Sequence, residues 1–275
     1  MYSYEGKRVL VTGAGRGLGR HLSQAFAAHG ANVSLAARSA DQLELAAADV
    51  RTEGREAWTF PVDLYDVAQA QRLVDDAAAA MGGIDILVNN AGGWGNVTGA
   101  VGSILEATVE GFDAVYHLNV RSPLFATIGA ARHMIEQGSG GSVLNVASVD
   151  ALAPAPTEAL YASAKAAVLS LTRTLAYEFG MYGIRVNAVA PGVVETELTA
   201  PWLQTEEQRA DRASFYPLNR IGTPDDVTAA ALYLCSAQAG WVSGVTLPVC
   251  GGQFATSDIF RWVRAHNYVP EAAKI

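Results

Sequence analysis

The sequence contains few cysteines, no long apolar runs and no excess of basic residues. The 275 residues include only two cysteines, Cys235 and Cys250, which argues against a disulfide framework and leaves no C-x-x-C pair for a metal. No apolar run reaches the roughly 20 residues that a membrane-spanning helix needs. The formal net charge of −8 argues against a non-specific nucleic-acid binder, because a polyanion would be repelled.

Targeting and metal-binding signals are missing as well. Residues 1–6 contain neither a basic stretch nor an apolar stretch, so they do not form a signal peptide. The five histidines show no metal-ligand spacing. Half of the residues are hydrophobic and 17% are charged, which is typical of a globular chain. We therefore expect a cytoplasmic protein that binds no metal, nucleic acid or membrane.

What the sequence does contain is an alternation of short β-branched strands with alanine-rich helical stretches. The run Arg8–Thr12 precedes a helical stretch at about 18–29, and Asn32–Ala37 precedes another at about 40–53. Residues 86–88 are apolar at successive positions, as in strands covered on both faces. The alternation predicts an α/β fold in one domain over 1–275. It is a Rossmann-like, doubly wound parallel sheet of about seven strands, with helices on both faces.

Three longer segments stand out from this alternation. A long helical region is predicted over roughly residues 109–137. Residues 195–218 form an irregular insertion after a strand end, where we expect a lid over the substrate, with an ordinary surface helix pair as the alternative. A tail begins at about 256, and its apolar cluster at 260–263 predicts a subunit contact.

A glycine-rich turn joins the first predicted strand to the first helix. It reads Thr12-Gly13-Ala14-Gly15-Arg16-Gly17-Leu18-Gly19. Glycine lets main-chain N–H groups approach a pyrophosphate at a helix N-terminus. The spacing differs from the G-x-G-x-x-G fingerprint, but the strand before it and the helix after it fit a dinucleotide site. The residues predicted to hold the phosphates are Gly13, Gly15, Arg16, Gly17, Leu18 and Gly19.

The end of the second strand indicates which dinucleotide binds. An acidic residue there would bind a ribose 2′-hydroxyl, whereas an arginine favours a 2′-phosphate. The sequence has Arg38 and Ser39 at this place and no acid, and Arg16 lies in the glycine loop. We therefore predict NADP(H). The alternative is NAD(H), with both arginines on a solvated surface.

A serine, a tyrosine and a lysine carry the predicted chemistry. Ser148 follows a strand at 141–147, at the end where doubly wound folds place ligands. Tyr161 and Lys165 are four residues apart on one helix and therefore share a face. A nearby ammonium should lower the phenol pKa from about 10. Ser148 would hold a carbonyl or alcohol oxygen while Tyr161 gives or takes its proton.

With these motifs in place, the chain resembles a short-chain dehydrogenase/reductase of the compact, single-domain type along essentially its whole length. The matching marks are Thr12-Gly13-x-x-x-Gly17-x-Gly19, Asp63-Leu64, Asn89-Asn90-Ala91-Gly92, Asn119, Ser148, Tyr161-x-x-x-Lys165 and Pro191-Gly192. The resemblance implies an oxidoreductase that interconverts a ketone or aldehyde and an alcohol. It also implies a homotetramer, or a homodimer, with the helices around 112–134 and 158–182 in one interface.

The resemblance also assigns roles to individual residues. Asn119 would perturb its helix and hold a water that links Lys165 to solvent, which completes the catalytic set Asn119, Ser148, Tyr161 and Lys165. Lys165 would also bind the nicotinamide ribose, beside Tyr161. Further cofactor contacts would come from Asp63 and Leu64 at the adenine, from Asn90, Ala91 and Gly92, and from Pro191, Gly192, Val194 and Thr196 at the nicotinamide.

The substrate side is less clearly marked. Candidate contacts are Trp94, Ser148, Asp150 and Trp202. The two tryptophans favour a fairly apolar substrate, unless they simply fill core or interface space. Asp150 would face a substrate hydroxyl or cap the following loop.

Two other functions fit parts of the pattern. A nucleotide-binding sensor without catalysis usually lacks the tyrosine, lysine or serine, and all three are present here. A sugar-nucleotide epimerase or dehydratase is disfavoured by the length of the chain and by its glycine spacing.

Overall fold

The sheet is seven-stranded and entirely parallel, as predicted. The computed structural model describes residues 2–95 and 97–255. The strands are β1 (Arg8–Thr12), β2 (Asn32–Ala37), β3 (Ala57–Pro61), β4 (Ile86–Asn89), β5 (Gly141–Val146), β6 (Ile184–Pro191) and β7 (Thr246–Val249). Their order is β3-β2-β1-β4-β5-β6-β7. The order reverses between β1 and β4, and doubly wound folds bind ligands in the crevice at that point.

Helices cover both faces of the sheet. They are α1 (Gly17–Ala28), α2 (Ala40–Thr52), α3 (Val67–Met81), α4 (Val109–Tyr116), α5 (Ser122–Gln137), α6 (Ala159–Gly180), α7 (Glu206–Ser214) and α8 (Pro224–Cys235). One buried core joins α1, α2 and α8 to the sheet, and a second joins α3, α5 and α6 to the other face. Central strands such as β4 are apolar at successive positions because both of their faces are buried.

The predicted helical region over 109–137 is confirmed, but it is not one uninterrupted α-helix. Between α4 and α5 the chain makes a π-helical turn at His117–Arg121. Asn119 donates a side-chain hydrogen bond of 2.8 Å to the carbonyl of Val115, the group that its own backbone N–H would use in an α-helix. Pro123 has no N–H to offer the carbonyl of Asn119. The α-helical ladder therefore breaks at Asn119, as the resemblance implies.

The segment 195–218 is more regular than the sequence predicts. It contains a short 3₁₀ turn, Ala200–Trp202, followed by α7. A capping box starts α7, in which Thr205 and Gln208 each accept a hydrogen bond from the other's backbone N–H. The helix is short and polar and has no buried residue, so hydrophobic periodicity does not reveal it.

No helix within residues 2–95 and 97–255 is long and apolar enough to cross a membrane. The predicted subunit contact at 260–263 and the tail from about 256 lie outside the described residues.

Candidate active site

A single cavity of about 1040 Å³ lies at the carboxyl ends of the strands and gathers nearly every predicted site residue. Its lining includes the glycine loop, Arg38, Ser39, Asp63, Leu64, Asn90, Ala91, Gly92, Trp94, Ser148, Asp150, Tyr161, Lys165, Pro191, Gly192, Val194, Thr196 and Trp202. Of the predicted residues, only Asn119 lies behind the wall rather than on it. The structure therefore brings the residues predicted from the sequence together around one cavity.

At one end of the cavity, the glycine loop leaves its backbone uncovered. Gly13 has a φ of +65°, and a Cβ there would lie 2.9 Å from the Cα of Ala91. A Cβ on Gly19 would collide with the carbonyl oxygen of Gly13. Asn90 ties the loop to β4, because its Nδ2 donates to the carbonyls of Thr12 (2.9 Å) and Gly13 (3.2 Å). The result is a backbone cradle at the N-terminus of α1, which suits a dinucleotide pyrophosphate.

Two arginines border this end of the cavity. Arg16 and Arg38 are both exposed, and neither takes part in an ion pair within the described part of the chain. Ser39 is committed to the N-cap of α2, where its Oγ accepts a hydrogen bond from the N–H of Gln42. Asp63 accepts a hydrogen bond of 3.1 Å from the N–H of Tyr65. The two guanidinium groups are thus the cations available to a phosphate here.

Ser148, Tyr161 and Lys165 meet at the centre of the cavity. The Nζ of Lys165 lies 5.6 Å from the ring centroid of Tyr161 and donates a hydrogen bond of 2.8 Å to the carbonyl of Val146. The side chain of Ser148 lies close enough to the Tyr161 hydroxyl to lower the pKa of the phenol. Ser148 Oγ also donates to Asp150 Oδ2 at 2.8 Å. Asp150 therefore holds the serine, a role that neither sequence-based alternative for it describes.

Burial controls the protonation of the tyrosine and the lysine. It raises the pKa of Tyr161 well above the usual value of 10, although the neighbouring Ser148 side chain acts in the opposite direction. It also lowers the pKa of Lys165 to about 8. The expected net lowering of the Tyr161 pKa by Lys165 is wrong for this structure, because desolvation of the phenolate raises the pKa and the negative charges of Asp150 and Glu158 add to the rise. At neutral pH the phenol carries its proton, so it is ready to donate it.

Asn119 and Gly92 support this group from behind. Asn119 Nδ2 donates to the carbonyl of Gly93 at 2.7 Å, and the N–H of Gly93 donates back to Asn119 Oδ1 at 3.1 Å. A Cβ on Gly92 would lie 2.8 Å from both Asn119 Oδ1 and Lys165 Nζ. Only glycine leaves room for the lysine and the asparagine to approach the loop after β4.

The substrate end contains two tryptophans and two residues that the sequence did not single out. Trp94 lies 5.6 Å from the Tyr161 ring and packs edge-on against Trp202, with ring centroids 5.2 Å apart. Its Nε1 donates to Glu158 Oε2 at 2.7 Å. Arg212 lies over the Trp202 ring, 5.8 Å from its centroid. A signal for Glu158 exists, since it immediately precedes α6 and stands only three residues before Tyr161. Arg212 sits in a run of polar residues that carries no such signal.

Many known proteins are similar to this chain in sequence or in fold. The family described as enoyl-(acyl carrier protein) reductase matches residues 13–253. L-rhamnose 1-dehydrogenase (NAD(P)(+)) of Azotobacter vinelandii is 36% identical over 252 residues, which cover 90% of this chain and 96% of that protein. The 7alpha-hydroxysteroid dehydrogenase of Escherichia coli is 35% identical over 248 residues, or 90% and 94% of the two chains.

The solved structures agree with the sequence relatives. A short-chain type dehydrogenase/reductase from Mycobacterium marinum superposes with a TM-score of 0.84 at 33% identity, covering 92% of this chain and 98% of the other. The fold and the site define an NAD(P)-dependent oxidoreductase that acts on CH–OH groups of small molecules. The chain belongs to the short-chain dehydrogenase/reductase family.

Proposed function

We propose that this protein interconverts a ketone or aldehyde and an alcohol with NADP(H), and that Tyr161 is the proton donor and acceptor. The observation that carries the proposal is the arrangement of the cavity. An uncovered backbone cradle with two unpaired arginines lies at one end, and the Ser148–Tyr161–Lys165 group lies at its centre. A cofactor and a small substrate would therefore meet beside the tyrosine.

The residues divide the chemistry among them. Bound NADP(H) supplies or accepts the hydride. Ser148 holds the substrate oxygen, and Tyr161 donates a proton to it during reduction or removes one during oxidation. Lys165 carries a positive charge below pH 8 or so, which stabilises the tyrosinate left after donation. Asn119 fixes the loop against which Lys165 rests, and it would hold the water that returns a proton to the lysine.

The preference for NADP(H) over NAD(H) rests on Arg38 and Arg16. Both guanidinium groups border the cavity, and no acidic residue follows β2 to bind a ribose 2′-hydroxyl. NAD(H) is the alternative cofactor. The names of the relatives do not decide the substrate either, because one acts on a sugar and another on a steroid.

An activity screen with both cofactors tests this function. Ketones, sugars, steroids and acyl thioesters are offered with NADPH and with NADH, and we expect hydride transfer with NADPH at a clearly higher kcat/KM. Arg38→Ala should weaken NADPH binding by about 10-fold or more, the value of one charge-assisted contact, and NADH binding hardly at all. Equal losses for both cofactors would reject the phosphate role. Cofactor binding without any turnover would favour a silent sensor.

The same proposal includes the organisation of the chain. It is a single domain over 1–275 in which residues 195–218 act as a lid over the substrate. The protein is cytoplasmic and assembles into a homotetramer or homodimer through the helices around 112–134 and 158–182. Analytical ultracentrifugation of the full chain tests the assembly.

A further inference from the structure

Glu158 occupies an unusual position at the substrate end of the cavity. It immediately precedes α6 and lies three residues before Tyr161, so its half-buried side chain lines the cavity on the same side as the phenol. Burial raises the pKa of its carboxyl group above the usual range. One oxygen, Oε2, accepts the hydrogen bond from Trp94. The other, Oε1, receives no hydrogen bond from any residue in 2–95 or 97–255.

Asp150 shares this environment. Its Oδ2 accepts the Ser148 hydroxyl, and its Oδ1 has no donor among the described residues. The charge of Asp150 raises the pKa of Glu158, so the two carboxylates act on each other inside the cavity. Neither forms an ion pair with a described residue. Two carboxylates thus lie beside the reacting centre, and each has one oxygen that accepts no hydrogen bond from the described residues.

Arg212 does not neutralise them by direct contact. Its guanidinium is placed over the Trp202 ring, and its charge only lowers the pKa of Glu158 from a distance. A carboxylate that loses water without gaining a hydrogen-bond donor is strongly destabilised. A bulky apolar substrate would displace water from both carboxylates and return no donor. A substrate with several hydroxyl groups would supply donors to each.

The aromatic wall fits the same kind of molecule. Trp94 and Trp202 pack edge-to-face, and Trp94 also contacts the Tyr161 ring. A sugar or polyol presents C–H groups on its faces and O–H groups at its rim, so it can contact the tryptophans and the carboxylates at once. We propose that the substrate is a polyhydroxylated compound, a sugar or polyol, and that Glu158 selects it by accepting a hydroxyl near the reacting carbon.

This inference rests on the oxidoreductase function proposed above and differs from the apolar substrate that the tryptophans alone favour. The reason is that Trp94 is not a purely apolar wall, since its polar edge is anchored to Glu158. A cationic substrate is disfavoured by Arg212, which brings a positive charge to the same part of the cavity.

The test compares ring compounds that differ in hydroxyl number. Oxidation of cyclohexanol, cis-1,2-cyclohexanediol, cyclitols, aldoses and alditols is measured with NADP⁺, with 2-aminocyclohexanol as the cationic probe. We expect kcat/KM for the best polyhydroxylated compound to exceed that for cyclohexanol by at least about 100-fold. A site built around a substrate hydroxyl rejects the compound without it by up to about 10⁴–10⁵-fold.

Glu158→Gln is the informative variant, because its amide oxygen can still accept the Trp94 hydrogen bond while the negative charge is removed. It should lower kcat/KM for the polyhydroxylated compound at least tenfold more than for cyclohexanol. Glu56→Gln, at an exposed glutamate outside both the cavity and the proposed subunit interface, is the matched control and should change neither value. Equal losses on both compounds in Glu158→Gln would mean that Glu158 is only structural and would overturn the inference.

A binding measurement separates this inference from the proposed function. Calorimetric titration of the wild-type NADP⁺ complex with the same compounds should show the polyhydroxylated ones binding more tightly than cyclohexanol, and Glu158→Gln should remove the difference. If cyclohexanol or the amine binds better, the inference is wrong even though the enzyme turns over. If polyhydroxylated compounds bind but nothing is oxidised, the inference holds and the proposed function fails.

Discussion

The two ends of the cavity are held together by different kinds of contact. At the cofactor end the contacts involve backbone atoms, such as the close approach of Gly13 to Ala91 and the bonds from Asn90 to loop carbonyls. At the substrate end the contacts are between side chains from three separate segments, with Trp94 joined to Glu158 and to Trp202. Backbone contacts of this kind tolerate almost no substitution, whereas side-chain contacts can be exchanged. The chemistry can therefore stay fixed while the substrate changes.

The largest effect on stability and NADPH affinity should come from adding a side chain inside the glycine loop. Gly19→Ala places a Cβ against the carbonyl oxygen of Gly13, inside a loop that has no room to relax. We expect the free energy of unfolding to fall by about 2–3 kcal/mol, the usual range for overpacking, and NADPH affinity to fall more than 100-fold. Urea unfolding and fluorescence titration measure the two quantities.

Gly180→Ala is the control for this change, because nothing lies within 4 Å of a Cβ at that position. It should leave NADPH affinity unchanged. Normal NADPH binding by Gly19→Ala would show that the cofactor end is as tolerant as the substrate end, which would remove the contrast between them.

At the centre of the cavity we expect a smaller change, an increase in the free energy of unfolding. Burial lowers the pKa of Lys165 to about 8 from its ordinary value of 10.5. The unfolded chain therefore binds more protons than the folded one between pH 8 and 10.5, and the cost of burying the charge is fully present below pH 8. Lys165→Met should stabilise the cofactor-free protein by about 2 kcal/mol at pH 7, after allowing for the lost bond to Val146.

That gain should shrink as the pH rises above 8, vanish before pH 10.5 and become a small loss above it, where the lysine is mostly neutral in both states and only the lost bond to Val146 remains. Denaturant unfolding at a series of pH values measures it. Lys7→Met, at an exposed lysine, should show no such pH-dependent gain. A destabilised Lys165→Met protein at pH 7 would mean that the lysine supports the fold rather than the chemistry.

The smallest expected effect is on NADPH affinity, at the point where the segment 195–218 contacts the cofactor end. A Cβ on Gly17 would lie 3.3 Å from Glu197 Oε2, so this exposed carboxylate sits at the N-terminus of α1, where a phosphate would bind. Glu197→Gln removes a competing negative charge and should tighten NADPH binding by about 2–5-fold, as for a charge at a helix terminus. The gain should be smaller at high salt.

Glu207→Gln, an exposed glutamate on α7, should leave NADPH affinity unchanged. Weaker NADPH binding by Glu197→Gln would show that the carboxylate helps the cofactor to bind, so that this segment would belong to the cofactor end.

Local sequence patterns explain why the fold and the cofactor end were predictable. The strand–helix alternation fixes the parallel sheet, and the glycines of the loop mark the places where a side chain cannot fit. Helical spacing alone places Tyr161 next to Lys165. Hydrophobic periodicity alone did not reveal the π-helical turn around Asn119, because α4, this turn and α5 follow one another without a gap. Pro123, which has no backbone N–H, was the local signal for it.

The substrate end and the charge states depend on tertiary contacts. The hydrogen bond from Trp94 to Glu158 joins residues 64 positions apart, and no local sequence pattern predicts it. The pKa of Tyr161 was predicted in the wrong direction because the sequence shows the nearby lysine but not the depth of burial. Local patterns and the family resemblance together predicted which residues line the cavity, but not how the cavity environment alters them.

The most direct test of the central claim is the turnover of Tyr161→Phe, which keeps the ring against Trp94 and removes only the hydroxyl. NADPH affinity should stay within about threefold of wild type, while kcat with the best substrate should fall by about 10³-fold or more, in the range for loss of a general acid. A kcat within tenfold of wild type would contradict the account, because another group would then have to deliver the proton.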